Sequence, residues 1–125
     1  MTEVLQSIYE LARVSVKNAT ITLKMSRHSL PVIGDRDRIK QAVFNIVLNS
    51  MESVRHKAAA EKGEYSIQIS AAALDGMVSI TIYDTGVGMN AEERERCTEP
   101  FYTTKPAGTG IGLAFTRQYI EEIGG

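Results

Sequence analysis

Apolar residues recur at helical spacing near the start of the chain: Val4, Leu5, Ile8, Leu11, Ala12 and Val16 fall along one stripe, predicting a helix over Val4 to Val16. The period then switches to two. Ala19 to Met25 reads Ala-Thr-Ile-Thr-Leu-Lys-Met, an alternating, β-rich run that predicts a strand. A short apolar run, Leu30 to Ile33, turns at Gly34-Asp35. Asp35 or Asp37 caps the long helix that follows, about Arg36 to Ala60, and Lys62-Gly63 ends it. Tyr65 to Ala73 and Met77 to Asp84 are two further strands, joined as a hairpin through Leu74-Asp75-Gly76. Asn90 stands as the N-cap of another helix, with Glu93 at its third position, the arrangement of a capping box. Pro100 closes that region, and Thr103 to Thr109 is turn-rich and expected to be mobile. The last helix, Leu113 to Ile123, stops at Gly124-Gly125. The alternation of helices and strands, with no repeat and no linker, predicts a single α/β domain.

Composition narrows the function classes. The chain has 125 residues, the size of one domain, and 43% of them are apolar, enough for a packed core. Fourteen basic residues against 15 acidic ones leave a net charge of −1. No basic stripe argues for nucleic acid, and the balance offers no attraction to a membrane surface. No apolar run reaches spanning length, and Met1-Thr-Glu-Val-Leu has no signal-peptide character. Cys97 is the single cysteine, so an internal disulfide is excluded and a reducing, cytoplasmic setting is expected. Its environment reads as that of a small half-buried side chain, not a reactive thiol.

Chemistry concentrates in two glycine-rich stretches. The first, Asp84-Thr-Gly86-Val-Gly88-Met89, follows a strand, and the second, Gly108-Thr109-Gly110-Ile111-Gly112-Leu113, opens a helix. Glycines cluster this way where backbone must approach a ligand closely or take up positive φ. Two such loops flanking one cleft suggest a nucleotide, with Asp84 reading the base and the second loop wrapping phosphates. The second stretch is no Rossmann fingerprint, because its glycines are evenly spaced and Lys-Pro-Ala precedes it, and there is no Walker-type Gly-Lys-Ser/Thr.

The long helix carries a second signal. Ile39 to Val54 is apolar nearly all round, yet Asn45 and Asn49 sit in it, four apart and on one face. Asparagine is a poor helix former, and a buried amide without partners costs about 1–3 kcal/mol. Each is therefore either a structural amide bonded to neighbouring backbone or an oxygen held out as a metal ligand beside phosphates. Mg²⁺ takes few protein ligands besides phosphate oxygens and water, so one neutral oxygen suffices.

Four segments in order carry a resemblance: Asn45-Ile-Val-Leu-Asn49-Ser-Met-Glu-Ser, Asp84-Thr-Gly-Val-Gly-Met, Glu99-Pro-Phe-Tyr-Thr-Thr-Lys105 and Gly108-Thr-Gly-Ile-Gly-Leu. Together they resemble the asparagine, first glycine, phenylalanine and second glycine boxes of the catalytic and ATP-binding domain of bacterial sensor histidine kinases, within the GHKL superfamily. The resemblance covers about Leu30 to Gly125. It implies a Bergerat-type ATP-binding fold, an α/β two-layer sandwich with helices on one face of a mixed β-sheet. It implies that Asn49 holds Mg²⁺, that Asp84 accepts a hydrogen bond from the adenine amino group, and that Gly86 and Gly88 let backbone pass the base. Met89 would begin the lid helix and line the adenine pocket. Lys105 matches a lid lysine placed for phosphate charge, and Gly108, Thr109, Gly110, Gly112 and Leu113 belong to the phosphate-facing turn. Phe101 resembles the phenylalanine that anchors the lid, although as a residue it reads most simply as core. Arg55, His56 and Lys57 read as a solvated basic helix end.

One position discriminates within the group. Hydrolysing members carry a glutamate base four residues before the metal asparagine; here that residue is Asn45, whose amide cannot accept a proton from water. The resemblance thus implies transfer of the γ-phosphoryl group of ATP to a histidine on a separate dimerisation domain of the same parent protein, with a response regulator downstream. A GHKL-type ATPase and a nucleotide-binding regulatory module without catalysis are the alternatives. Neither His28 nor His56 is followed by an acidic residue, as the acceptor histidine would be, so the domain is expected to lack its own acceptor. Glu52 stands three after Asn49, where many members carry lysine. Full domains continue with two more strands after the position of Gly125, so a chain lacking these C-terminal strands is expected to have an open sheet edge and to self-associate or lose stability. The parent protein, with its sensor, could be membrane-anchored.

Overall fold

The computed structural model describes residues 1–105 and 108–125; the middle of the turn-rich segment, residues 106–107, lies outside the described residues. In chain order the elements are α1 (Thr2–Ser15), β1 (Ala19–Met25), α2 (Arg36–Ala60), β2 (Tyr65–Leu74), β3 (Met77–Asp84), α3 (Ala91–Arg96) and α4 (Gly112–Glu122). Asp35, not Asp37, caps α2, its side chain accepting the Arg38 N–H. At α3 both halves of the expected capping box form: Asn90 accepts the Glu93 N–H at 2.8 Å, and Glu93 accepts the Asn90 N–H at 3.0 Å. The β2–β3 hairpin turns through Asp75 and Gly76 at φ 50° and 77°, the two left-handed positions an Asp-Gly turn supplies.

Among the described residues the sheet is three-stranded and mixed, in the order β1-β2-β3, with β1 parallel and β3 antiparallel to β2. Register aligns the apolar rows. Ile21, Leu23 and Met25 lie opposite Ile67, Ile69 and Ala71, and Ile69 and Ala71 lie opposite Ile82 and Ile80. This row faces the helices, where Leu5, Ile8, Val47, Val54, Ile67 and Ile69 are fully buried. The other face carries Thr20, Thr22, Lys24, Ser66, Gln68, Ser79 and Thr81, the period-two alternation of a sheet wet on one side. Helices on one face and water on the other make the expected two-layer sandwich.

The same alternation positions the first motif. Val78, Ile80, Ile82 and Asp84 share one face of β3, with Asp84 opposite Ile67 in the register. Asp84 therefore ends the strand on the helix side of the sheet. β3 is an edge strand among the described residues, and its inward apolar side chains are only half-buried.

Helix α4 packs along α2, and polar contacts set its height. Tyr119, fully buried, accepts the Asp35 N–H at 2.8 Å through its hydroxyl. Arg38 lies over the Tyr119 ring, 4.1 Å from its centroid, and pairs with Glu122 at 3.2 Å. Thr116, a buried hydroxyl, donates to the Ala42 carbonyl at 2.9 Å. The start of α4 is thereby fixed beside the middle of α2.

Candidate nucleotide site

The site is organised by one stripe of α2. Asn45, Asn49 and Ser53 follow at four-residue spacing and share a face. Both glycine loops dock on it. Gly86 lies against Ser53: a Cβ there would stand 2.2 Å from the Ser53 Oγ and 2.5 Å from its carbonyl carbon. Gly112 lies against Asn45, with a Cβ position 3.5 Å from the Asn45 amide carbon. Asn45 and Ser53 are eight residues apart, about 12 Å along a helix axis. The two loops thus stand at either end of a short ruler, with Asn49 between them.

At one end, Asp84 is half-buried, and its Oδ1 accepts the Gly86 N–H at 2.9 Å. This turn-forming bond uses one carboxylate oxygen and leaves the second to accept from a ligand. The next residue locks the turn to the sheet: Ser66 donates its N–H to Thr85 Oγ1 at 2.9 Å, and Thr85 donates its N–H to the Ser66 carbonyl at 3.1 Å. The two glycines of this loop serve different needs. Gly86 is required by close approach to the backbone of α2, whereas Gly88 has φ 71° with open space around it. Met89 is exposed and stands two residues before α3, so the helix begins at Ala91 and not at Met89.

At the other end, the Asn45 Nδ2 donates to the Gly112 carbonyl at 3.0 Å and to Thr116 Oγ1 at 3.4 Å. Asn45 therefore acts as a structural amide that ties α2 to the first turn of α4. Among the described residues no side chain caps that helix at Ile111, which leaves the N–H groups of its first turn free at the partial positive end of the helix dipole. The loop before it crosses itself tightly. Phe101 donates its N–H to the Gly110 carbonyl at 2.9 Å, and a Cβ on Gly110, at φ 70°, would stand 2.4 Å from the Phe101 carbonyl carbon.

That crossing overturns the reading of Phe101 as core. Phe101 has φ 66° and is 77% exposed, and its backbone is what a Cβ on Gly110 would meet. Cys97 is half-buried as expected, with its Sγ bonded to the Arg94 carbonyl. Arg55 and His56 are solvated.

Between the two ends, Lys105 reaches back to α2. Its Nζ donates to Asn49 Oδ1 at 2.9 Å and to the Glu52 carboxylate. The two α2 residues are three apart, so their side-chain oxygens converge on the same ammonium. Thr109 is exposed beside Gly110, and Gly108 packs near the Thr103 hydroxyl. The structure brings Gly86, Lys105 and Gly112 to the Asn45–Asn49–Ser53 flank of α2, with Asp84 bonded to Gly86 and Leu113 next to Gly112 in the first turn of α4. Sequence patterns missed Thr116, Tyr119 and Arg38, which set the position of α4. A hydroxyl one helical turn after Gly112 was the available signal for Thr116.

Comparison with known proteins bears on the family and the fold. Residues 34–125 match the family described as histidine kinase-, DNA gyrase B-, and HSP90-like ATPase. Sporulation kinase B of Bacillus subtilis is 40% identical over 92 residues, which cover 74% of this chain and 20% of that protein. The chain thus spans about a fifth of the length of that curated relative. Among solved structures, the mycobacterial sensor histidine kinase MprB superposes with TM-score 0.83 and 26% identity, over 99% of this chain and 77% of that one. Full-length ShkA, solved in complex with AMPPNP, superposes with TM-score 0.79 and 25% identity, over 98% of this chain and 25% of that one.

Proposed function

The chain belongs to the histidine kinase-, DNA gyrase B-, and HSP90-like ATPase family, and from that premise we propose that it is the ATP-binding catalytic domain of a sensor histidine kinase, binding Mg-ATP along the Asn45–Asn49–Ser53 face of α2 and donating the γ-phosphoryl group to a histidine on a separate domain. The observation that carries this reading is the docking of both glycine loops on one helix stripe, about 12 Å apart. An adenosine triphosphate laid along that stripe meets a carboxylate at its base end and a helix N-terminus at its phosphate end.

The roles follow from chemistry. Asp84 accepts from the adenine amino group through the oxygen that Gly86 does not use, a charge-assisted contact. The first turn of α4, from Gly112 and Leu113, offers N–H groups and a positive dipole end to the phosphates. Lys105 supplies a movable positive charge at the same end. Asn49 also suits Mg²⁺: its amide oxygen already accepts from a cationic group, and Mg²⁺ takes oxygen ligands. When bound, Mg²⁺ would neutralise charge on the β- and γ-phosphates. This chain's own part is alignment, through Asn45 and Thr116 holding α4 in place, and charge, through Lys105.

Asn45 supports transfer over hydrolysis. Its side chain is committed to the Gly112 carbonyl and has no basic group to activate water. An imidazole needs no such activation, being nucleophilic when neutral. The test pairs calorimetric titration of a non-hydrolysable ATP analogue, with and without Mg²⁺, with transfer from ATP to a supplied dimerising hairpin that bears the acceptor histidine. Mg²⁺-dependent binding with transfer and slow hydrolysis is expected. Brisk hydrolysis by the domain alone would assign it to the hydrolysing branch, and binding without transfer would leave a regulatory module.

A further inference from the structure

Glu52 has no assigned role in the reading above, yet it is the partner that holds Lys105 over Asn49. An ammonium bonded to both Asn49 Oδ1 and the Glu52 carboxylate marks a point where a neutral and an anionic oxygen meet around one positive charge. Both residues stand on α2, three apart, so a rigid helix fixes their spacing. Lys105 lies outside any helix or strand, and its side chain is 42% exposed. The fixed part is the oxygen pair, and the exchangeable part is the cation.

We propose that Asn49 and Glu52 form a two-oxygen cation seat, filled by the Lys105 ammonium in the nucleotide-free chain and by the divalent metal when nucleotide arrives, so that Glu52 is a second metal ligand and Lys105 the metal's competitor. The proposal rests on the reading of Asn49 as the metal-facing amide. Two cations cannot share one seat, because like charges at contact distance repel, and more strongly near a protein surface than in water. Metal entry therefore expels Lys105, and the nucleotide phosphates give its ammonium a new anionic partner. Two substitutions thus have opposite expected effects. Removing the lysine charge opens the seat to metal alone, and removing the glutamate charge abolishes that gain.

Mn²⁺ alone is the probe, read by paramagnetic broadening of the Asn49 side-chain amide resonance in the absence of nucleotide. Lys105→Gln is expected to lower the Mn²⁺ concentration for half-broadening several-fold relative to the unaltered chain, and Lys105→Arg, which keeps a cation in place, is expected to leave it unchanged. Lys105→Gln combined with Glu52→Gln is expected to return it to the starting value or above. Amide spectra of each variant confirm the fold, both side chains being partly solvated. Equal titrations of the unaltered chain and Lys105→Gln would overturn the competition, and a double variant as sensitive as Lys105→Gln alone would overturn Glu52 as a ligand. Repeating the measurement with a non-hydrolysable ATP analogue separates the two levels. Broadening only when nucleotide is present overturns the seat and keeps the nucleotide reading, whereas no broadening of Asn49 under any condition overturns both.

Discussion

Replacing Asp84 by asparagine separates the two tasks of that carboxylate. One oxygen accepts the Gly86 N–H at 2.9 Å and shapes the loop; the other is proposed to accept from the adenine amino group. An asparagine oxygen accepts the Gly86 N–H equally well, since Asp and Asn both form this turn. The loop and its docking on Ser53 are therefore expected to survive, with stability changed by no more than about 0.5 kcal/mol, as for a surface substitution away from packing. The second position changes from acceptor to donor and meets the amino group donor to donor. Losing a hydrogen bond to a charged group costs about 1.5–3 kcal/mol. At 1.4 kcal/mol per tenfold, that weakens binding by about 10- to 150-fold. Calorimetry with a non-hydrolysable ATP analogue measures it, beside urea unfolding of the free protein. A purine nucleotide lacking the exocyclic amino group completes the cycle: it should bind the unaltered chain less tightly than the ATP analogue does, and Asp84→Asn should add little further loss. Independent, additive losses from the two changes, or unaltered affinity in Asp84→Asn, would remove Asp84 from the base.

Three further outcomes follow from the same geometry. Gly86→Ala forces a methyl group into the Ser53 backbone, at 2.5 Å from its carbonyl carbon, and should cost about 1–3 kcal/mol in urea unfolding; Ser53→Gly should not rescue it, because the obstructing atom is main chain. Asn49→Ala should remove the Mg²⁺ dependence of nucleotide binding while leaving the Mg²⁺-free affinity near its original value, as calorimetry with and without the ion would read. Tyr119→Phe loses the hydroxyl bonded to the Asp35 N–H and should destabilise by about 0.5–1.5 kcal/mol, with a smaller loss of nucleotide affinity as α4 loosens.

The local elements and their order were legible in the sequence because they rest on short-range physics. Hydrophobic period separated α1 and α2 from the strands, Asp75-Gly76 specified its hairpin turn, and Asn90 with Glu93 announced the start of α3. Even the facing of Asp84 follows from alternation along β3, since it continues the row of Val78, Ile80 and Ile82. Contacts between distant segments were not legible. No local pattern says that Gly86 meets Ser53, that Asn45 holds the Gly112 carbonyl across 67 residues, or that Lys105 settles between Asn49 and Glu52. Phe101 shows the limit most plainly: an aromatic residue reads as core, but the chain holds it at positive φ, 77% exposed, where it crosses Gly110. Sequence alone determined which residues could read a nucleotide, because residue type decides what can accept, donate or pass close to a ligand. Only the tertiary structure decided that they line one face of one helix, because that distance depends on how separate elements pack.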